Sequence, residues 1–585
     1  MATTKITDLF NDRIFEIPRY QRGYAWEKQH VRDLFEDILE AIESNSSHYI
    51  GTVVLSKSPD DPKKFYVVDG QQRLTTITLL IAQLLRKISD EETKLYQKLH
   101  YIKKNGKYSL TPLSRDSEFF KVLIDGDIST LEPQNKSQRY LKDAVEEIRN
   151  LIEQLPSPEK FLEAVGTLEI MEFIENSEGD AIRIFQTVND RGKPLSIMEK
   201  MKSLLIYFSN KYLDKKYDDE INSIFSDIFE LYDSIKYNGD KFGITLIKRQ
   251  NFTEDNILSY HYVTYFSDNY EPTADYVLKN IKQTLTNIRK ESNYSQKLSD
   301  FINKYISSLK QFFINLNEII LKVNSDTNYY KLFVILNLSA TLYPLIVKLQ
   351  EKSLLDKELE GANYKGITFF DLVEIIDVRV YKTRGTDPKA DIVKFVSTIN
   401  SKKNNDIQNW LLWFNTRWMS KEQFNSSLSV NFYPNAALPY IFVNYCEHLN
   451  NKDYNLAELK EIVNTQLTIE HVLAQTPDFN PEALGFQDME DFCSYEGRLG
   501  NLSLLEKSLN SAIQKKVPLL KVELGYDKSR FPMTKKLASQ ITHDNTFSKT
   551  QLDSRTEDIK AYCVRRWWAE LPEGTPIEVV SMDEE

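Results

Sequence analysis

At 585 residues, the chain is too long for a single hydrophobic core, and its length predicts two to four domains. Its formal net charge of -11 argues against a uniformly basic nucleic-acid-binding protein. Three cysteines without paired spacing argue against a zinc site and favour a reduced, intracellular protein: Cys446, Cys493 and Cys563. Without a secretory leader or an apolar run of about 18 residues, we expect a soluble, cytoplasmic protein with no membrane partner.

The first polar segment is IPRYQRGYAW, residues 17–26, in which aromatic and basic residues follow Pro18. The pattern predicts an extended arm in front of an amphipathic helix at residues 27–44. Five side chains of the arm combine stacking faces with hydrogen-bond donors, and they suit a nucleotide or an unstacked base: Tyr20, Gln21, Arg22, Tyr24 and Trp26. The alternative is an arm packed on the domain, with Trp26 as its anchor.

A second polar group lies at a corner between a strand and a helix. The stretches YIGTVVLS and KFYVVDG predict two strands, and residues 74–88 predict a helix. The corner itself consists of Asp69, Gly70, Gln71, Gln72 and Arg73. The start of a helix favours an anion, Arg73 offers a planar fork for phosphate oxygens, and Asp69 suits a metal or a nucleophilic water.

Two alternatives bear on this corner. The sequence has no Walker-type phosphate loop, which excludes the corresponding class of NTPases. Gln71 and Gln72 suit a base, a ribose or a water, but a capped corner with exposed polar side chains explains the same residues.

A third polar corner, in FQTVNDRGKPLS, places Asn189, Asp190 and Arg191 before a helix that Ser196 is expected to cap. It would act with the first corner if the fold brings the two together. From residue 211 to residue 425 the pattern is mostly helical, and its aromatic residues are more typical of a core than of a stacking platform.

The C-terminal part differs in charge from the rest of the chain. Between Arg498 and Arg566 there are 14 lysines and arginines against 7 acidic residues. Such a region suits phosphate contacts, for which Lys515 and Lys516 are candidates. A solvated, lysine-rich face is the alternative.

The stretches IEHVLAQ and LGNLSLLEKSLN carry the parts of an HNH nuclease, in the order strand, loop, strand and helix. In this interpretation His471 is the general base and Asn501 holds the imidazole in place. Glu470 and Asn510 then bind one divalent cation, Mg²⁺ or a similar ion. The alternative is a histidine at a helix edge with ordinary turn asparagines.

Taken in order, IPRYQRGYAW, VVDGQQRLTTI and FQTVNDRGKPLS resemble the N-terminal domain of the GmrSD family of modification-dependent, type IV restriction enzymes. The resemblance implies a ParB- and sulfiredoxin-like fold over residues 1–210. It implies that residues 69–73, with Asn189 and Arg191, bind a nucleoside triphosphate (GTP or ATP), and that Asp69 and Arg73 take part in its hydrolysis. It also implies that Tyr20, Gln21 and Arg22 take part in sensing a nucleotide or modified DNA.

The C-terminal motifs resemble the HNH domain of the same family. The family pattern has a proline where this chain has Ala474, and Gln475 follows as the pattern requires. This departure affects the turn after His471 rather than the side chains of the site.

The sequence therefore predicts a helix-rich, multidomain α+β protein. Residues 1–210 form a ParB-like domain, 211–425 a helical middle region and 426–585 a ββα-metal (HNH) endonuclease domain. The predicted function is modification-dependent cleavage or nicking of phage DNA, with a homodimer left open. The alternatives are a nucleotide-gated DNA-binding or defence-signalling module with an inactive HNH unit, and a helical scaffold without catalysis.

Overall fold

The computed structural model describes residues 2–18, 21, 23–44, 48–112, 114–126, 128, 131–176, 181, 196–266, 269–475, 480–541 and 547–571. The chain forms two compact units. The first unit comprises Met1–Tyr237, Thr253–Leu258 and Thr273–Ile314, and the second comprises Asn238–Phe252, Ser259–Pro272 and Asn315–Glu585. Helices dominate both units and a mixed sheet lies in the first, so the predicted helix-rich, multidomain α+β class is confirmed.

The chain passes from one unit to the other within three helices, Asp218–Phe242, Glu254–Tyr265 and Tyr294–Lys322. The predicted division into residues 1–210, 211–425 and 426–585 stays a prediction.

The first unit is built on a six-stranded sheet. Its strands are β1 (Ala2–Lys5), β2 (Ile14–Glu16), β3 (Tyr49–Lys57), β4 (Lys64–Asp69), β7 (Leu110–Thr111) and β8 (Glu169–Glu175). They lie in the order β1-β8-β3-β4-β2-β7. β3 pairs antiparallel with β4 and parallel with β8, while β2 pairs parallel with β4. A short hairpin of β5 (Lys103–Lys104) and β6 (Lys107–Tyr108) forms a separate sheet.

Helix Gln71–Leu85 is the central helix of this unit, and every residue in it except Arg73 is buried. Its apolar side chains face neighbours on several sides, which is why the sequence lacks a polar face over this stretch. Two of its threonine hydroxyls hydrogen-bond the backbone of the preceding turn. Thr76 donates to the Gln72 carbonyl and Thr78 to the Leu74 carbonyl, each at 2.8 Å. The helix packs against Glu91–Tyr101, Ser114–Asp125, Lys136–Ile152 and Pro158–Thr167.

The predicted elements of the N-terminal part are confirmed. The helix expected at residues 27–44 is Lys28–Ser44, and the two strands are β3 and β4. Ser196 caps helix Ile197–Tyr212 as expected, since its hydroxyl accepts from the Glu199 N–H at 3.2 Å. Asp255 adds a second cap by accepting from the N–H groups of Ile197 and Met198. The other helices of this unit are Ile6–Leu9 and Ala274–Ile288.

The second unit is largely helical. Its α-helices are Thr245–Lys248, Thr327–Tyr330, Tyr343–Glu351, Phe369–Ile376, Lys389–Thr398, Asn404–Trp418, Lys421–Ser427, Leu438–Asn450, Leu456–Asn464, Met489–Cys493, Lys507–Ile513, Pro518–Leu524, Pro532–Gln540 and Lys549–Arg566. Two π-helical segments, Lys331–Ile335 and Asp377–Thr383, interrupt this pattern. Within the described ranges, no helix is both long enough and apolar enough to cross a bilayer.

A two-stranded antiparallel sheet lies within the second unit. It consists of β9 (Leu467–His471) and β10 (Leu502–Glu506). Helix Lys507–Ile513 follows β10 directly, so the predicted order of strand, loop, strand and helix is present. A core of buried residues supports this region, among them Val472, Leu505 and Tyr526.

Candidate functional site

The first candidate site is the corner between β4 and helix Gln71–Leu85. Gly70 takes the left-handed conformation there, with φ +88°, and a Cβ on it would lie 3.1 Å from the Thr52 carbonyl oxygen. The first hydrogen bond of the helix runs from the Leu74 N–H to the Gly70 carbonyl at 3.0 Å. The N–H groups of residues 71–73 therefore have no partner within the helix, as expected at a site that favours anions.

Arg73 does not extend from this corner toward solvent. Its Nη1 donates to the Thr52 carbonyl at 3.0 Å, and its guanidinium lies over Gly51, where a Cβ would be 2.8 Å from Nη2. Burial lowers the pKa of Arg73, although the neighbouring Asp69 opposes that shift. The side chain is held against β3, and its predicted role at the nucleotide phosphates stays a prediction.

The two glutamines of the corner are also buried, at 8% and 9% exposure, which contradicts the alternative of an exposed polar corner. The side-chain oxygen of Gln72 accepts from the Ala25 N–H at 2.8 Å, and its amide donates to the Gly23 carbonyl at 3.2 Å. Gln71 donates to the side-chain oxygen of Gln21 at 3.3 Å. We call this set of hydrogen bonds the glutamine clasp, and it joins the first polar segment to the corner.

Tyr24 lies in the core of the first unit. It is 7% exposed, its hydroxyl lies 2.7 Å from the Thr76 hydroxyl, and its N–H donates to the Ser137 hydroxyl. Burial raises the pKa of this phenol. The predicted part of Tyr24 in DNA sensing stays a prediction.

Trp26 is half-buried, packs against the core and stacks on His30 with ring centroids 5.9 Å apart. This contact agrees with the alternative in which Trp26 anchors the arm. Gln21 lies at the corner, where its amide donates to the Val68 carbonyl at 2.8 Å. The remaining predicted residues of this site lie outside the described ranges: Tyr20, Arg22, Asn189, Asp190 and Arg191.

A small pocket lies behind the glutamines, lined among others by Gly23, Thr75 and Asp116. Its volume of about 10 Å³ has room for about one water. Asp116 is 2% exposed and accepts from the Ser137 hydroxyl at 2.7 Å, which places a buried carboxylate next to the corner. No motif pointed to Asp116, since it lies more than 40 residues from the corner in a helical pattern.

The second candidate site lies at the end of β9. His471 pairs with Leu502 in the antiparallel register, and Glu470 pairs with Ser503. The imidazole Nε2 is buried and has no hydrogen-bond partner among the described residues. Burial and the nearby Lys521 ammonium lower the pKa of His471 to about 4, so the ring is neutral at pH 7 and able to accept a proton.

Tyr433 forms one wall of this site. Its ring meets the imidazole of His471 edge-on, with centroids 4.6 Å apart and an interplanar angle of 83°. Tyr433 is 37% exposed, so one side of the pair borders solvent. Sequence reasoning missed this residue, because it lies 38 residues before His471 and belongs to no recognisable motif.

Asn501 does not hydrogen-bond the imidazole of His471. It is fully buried, its oxygen accepts from the Leu473 N–H at 2.8 Å, and its amide donates to the carbonyls of Leu473 and Glu496 at 3.1 and 2.8 Å. The predicted role of Asn501 in holding the imidazole in place stays a prediction. Asn501 fixes the backbone two residues beyond His471.

Glu470 is buried and is paired with a positively charged side chain. Its Oε1 accepts from the Lys521 ammonium at 2.6 Å and from the Tyr526 hydroxyl at 3.0 Å. Lys521, with a side chain 1% exposed, also donates to the His471 carbonyl at 2.6 Å. Burial raises the pKa of Glu470, against the opposing effect of Lys521.

These contacts bear on the predicted metal site. The described residues contain no group of three or more His, Cys, Asp or Glu side chains that could hold a metal ion. The amide of Asn510 donates to the Thr468 hydroxyl at 2.8 Å. A divalent cation at Glu470 would have to replace the Lys521 ammonium and take most of its ligands from water and phosphate, as Mg²⁺ commonly does.

The basic region serves the fold as well as the surface. Arg555 is buried and donates to the carbonyls of Gly500 and Leu502 at 2.7 and 2.6 Å, and Arg566 pairs with Glu374 at 3.0 Å. Lys515 and Lys516 are exposed. Part of the positive charge of this region is therefore structural, and the two candidate phosphate ligands are on the surface.

Two comparisons with known families bear on this arrangement. Residues 6–206 match the model of the GmrSD restriction endonuclease N-terminal domain, and residues 418–561 match that of the GmrSD restriction endonuclease C-terminal domain. No curated protein matches the chain. The two matches place the protein among the restriction endonucleases, enzymes that act on DNA.

More narrowly, the chain belongs to the GmrSD family, and it carries both of the family's domains in one polypeptide.

Proposed function

We propose that the protein is a modification-dependent, type IV DNA endonuclease of anti-phage defence. A ParB-like N-terminal domain binds a nucleoside triphosphate, GTP or ATP, and senses modified DNA. A C-terminal HNH domain then cleaves or nicks that DNA.

The observation that supports this function best is the state of His471. Its Nε2 is buried without a hydrogen-bond partner among the described residues, and its lowered pKa keeps the ring neutral. A neutral imidazole at a strand end next to a basic surface has the properties of a general base for phosphodiester hydrolysis.

In this mechanism a water attacks the phosphorus and its proton passes to Nε2 of His471. The bond from phosphorus to the leaving oxygen breaks, and that oxygen is protonated from solvent. Lys521 and Asn501 hold the backbone that follows the imidazole, at the His471 carbonyl and at Leu473. Lys515 and Lys516 contact neighbouring phosphates.

A divalent cation, when bound, stabilises the charge that develops on the phosphate and on the leaving oxygen. Glu470 and Asn510 are the side chains proposed to hold it. Glu470 would have to release the Lys521 ammonium before it could hold such a cation.

At the N-terminal corner, we assign the nucleotide phosphates to the start of helix Gln71–Leu85. Three N–H groups without intrahelical partners and the positive end of the helix dipole favour phosphate oxygens there. Arg73 adds positive charge near the nucleotide phosphates, from a position against β3 and beside Asp69. The glutamine clasp holds Gln21, Gly23 and Ala25 of the arm at this corner.

The test is cleavage of modified and unmodified plasmid with Mg²⁺, in the presence of each nucleotide. We expect cleavage of modified DNA alone, and we expect His471→Ala to lower its rate by about 10²–10⁴-fold. His448→Ala is a matched control, because His448 is an exposed histidine of the same unit that stacks on Tyr562. Undiminished nicking by folded His471→Ala protein would refute the assignment.

One observation favours a second candidate, a nucleotide-gated DNA-binding module with an inactive HNH unit. The Glu470 carboxylate is already neutralised by Lys521 in a buried ion pair. Mg²⁺-dependent nicking by the wild-type protein separates the two, since the inactive module would bind modified DNA and leave it intact.

A further inference from the structure

Three apolar side chains form an exposed stripe beside the candidate nuclease site. Val517, Leu520 and Leu524 are 37%, 43% and 37% exposed. Leu520 and Leu524, four residues apart, lie on one side of helix Pro518–Leu524, and Val517 immediately precedes this helix. Large apolar side chains exposed in a contiguous row indicate an interaction surface.

The same short helix reaches the candidate base. Lys521, one residue after Leu520, donates from its ammonium to the His471 carbonyl at 2.6 Å. The helix is therefore fixed to the end of β9, and the stripe has a defined position next to His471.

The stripe begins at a positively charged turn. Lys515 and Lys516 are exposed and immediately precede Val517, and the sequence has no acidic residue from Lys507 to Lys521. Gln514 holds this turn in a conformation that non-glycine residues rarely adopt, with φ 43° and ψ -126°. The exposed Glu523 is rotated by about 100° around the helix from Leu524.

We propose that this stripe is a wedge that enters the minor groove of duplex DNA, with Lys515 and Lys516 on the flanking phosphates. The inference rests on the proposed endonuclease function and adds a contact to it. Two adjacent ammonium groups match a phosphate backbone, and leucine side chains are typical of proteins that part base steps from the minor groove.

The charged and apolar parts of this surface predict different salt dependences. Each phosphate contact contributes about 0.9 to the slope of log affinity against log salt concentration, whereas apolar contacts contribute almost nothing. The double variant Leu520→Ser/Leu524→Ser should therefore weaken duplex binding about tenfold at every salt concentration and leave the slope unchanged. Lys515→Ala/Lys516→Ala should reduce the slope by about 2.

Binding is measured by fluorescence anisotropy on full-length protein in EDTA, with a modified duplex that carries 2-aminopurine. We expect 2-aminopurine fluorescence to rise on binding of the wild-type protein, since unstacking relieves its quenching, and to stay flat with the leucine double variant. Leu95→Ser/Leu99→Ser is the matched control, because these leucines are also exposed, at 60% and 53%, but lie in the first unit. This control should bind like the wild-type protein.

Equal affinity and an equal 2-aminopurine signal in the leucine double variant would overturn the wedge. A change from dimer to monomer in sedimentation with unchanged DNA binding would overturn it as well and assign the stripe to a second copy of the chain. If the lysine variant keeps its slope and His471→Ala nicks normally, the endonuclease proposal fails too. Unchanged thermal stability shows that each variant is folded.

Discussion

At the scale of single residues, Lys521 links the chemistry of the site to its stability. One ammonium, almost completely buried, meets the carboxylate of Glu470 and the carbonyl of His471. Removing one partner of a buried ion pair leaves the other charge in a medium of low polarity, which costs more than the pair itself contributes.

We therefore expect Lys521→Met to lower the free energy of unfolding by about 3–5 kcal/mol. The double variant Glu470→Gln/Lys521→Met should recover most of that loss, because it leaves no buried charge. Tyr526→Phe, which removes the other donor to the same oxygen, should cost about 1 kcal/mol. Denaturant unfolding checks all three, and a double variant as unstable as Lys521→Met would show that packing rather than charge dominates.

Arg73 allows a second test at this scale. We expect Arg73→Ala to abolish nucleotide hydrolysis and to destabilise the fold by about 1–3 kcal/mol, because the Thr52 carbonyl loses a charged donor. Arg86→Ala is the matched control on the same helix, since Arg86 also donates to backbone carbonyls, those of Ile124 and Gly126 at 2.9 Å. Phosphate release should persist in Arg86→Ala. If it also persists in folded Arg73→Ala, the corner is not the site of nucleotide hydrolysis.

At the scale of elements, the π-helical segment Asp377–Thr383 begins with a fully buried carboxylate. Burial raises the pKa of Asp377 to about 6, against the effect of Lys382, whose ammonium is 3.7 Å away. Because the folded-state pKa lies above the unfolded value of 3.8, the folded state binds the proton more tightly. Its stabilising effect is complete below about pH 4 and is lost as the pH rises through about 6.

Asp377→Asn removes this titration. We expect the variant to be more stable than the wild-type protein by about 3 kcal/mol above pH 7, and we expect the difference to vanish near pH 4. Thermal unfolding across this range checks it, with the exposed Asp453→Asn as the control. A stability difference that is independent of pH would contradict the assigned titration.

The elements were largely predictable from the sequence, and their partners were not. Alternation and helical spacing correctly placed β3, β4 and helix Lys28–Ser44, because those patterns depend on one buried face. Tyr24 sits in an irregular arm without such a period, so its sequence context could not show whether its ring faces the core or the solvent. Lys521 meets Glu470 across 51 residues, and only the packed fold brings them together.

At the scale of the whole molecule, the two candidate sites lie in different compact units. Each unit has its own core of buried residues. We therefore expect His471→Ala to abolish DNA cleavage and to retain nucleotide hydrolysis at the wild-type rate. Plasmid nicking and phosphate release on the same preparation check this, and loss of both activities in folded protein would contradict independent sites.

The glutamine clasp has a thermodynamic consequence for the N-terminal domain. Gln72 hydrogen-bonds the backbone of the arm at Gly23 and Ala25, and its own N–H is one of the three at the proposed phosphate site. A ligand that makes one side of the clasp rigid lowers the conformational entropy that a second ligand loses on binding at the other side. If nucleotide raises the affinity for modified DNA by some factor, modified DNA must raise the affinity for nucleotide by the same factor. The protein would then bind both ligands tightly only when nucleotide and modified DNA are present together.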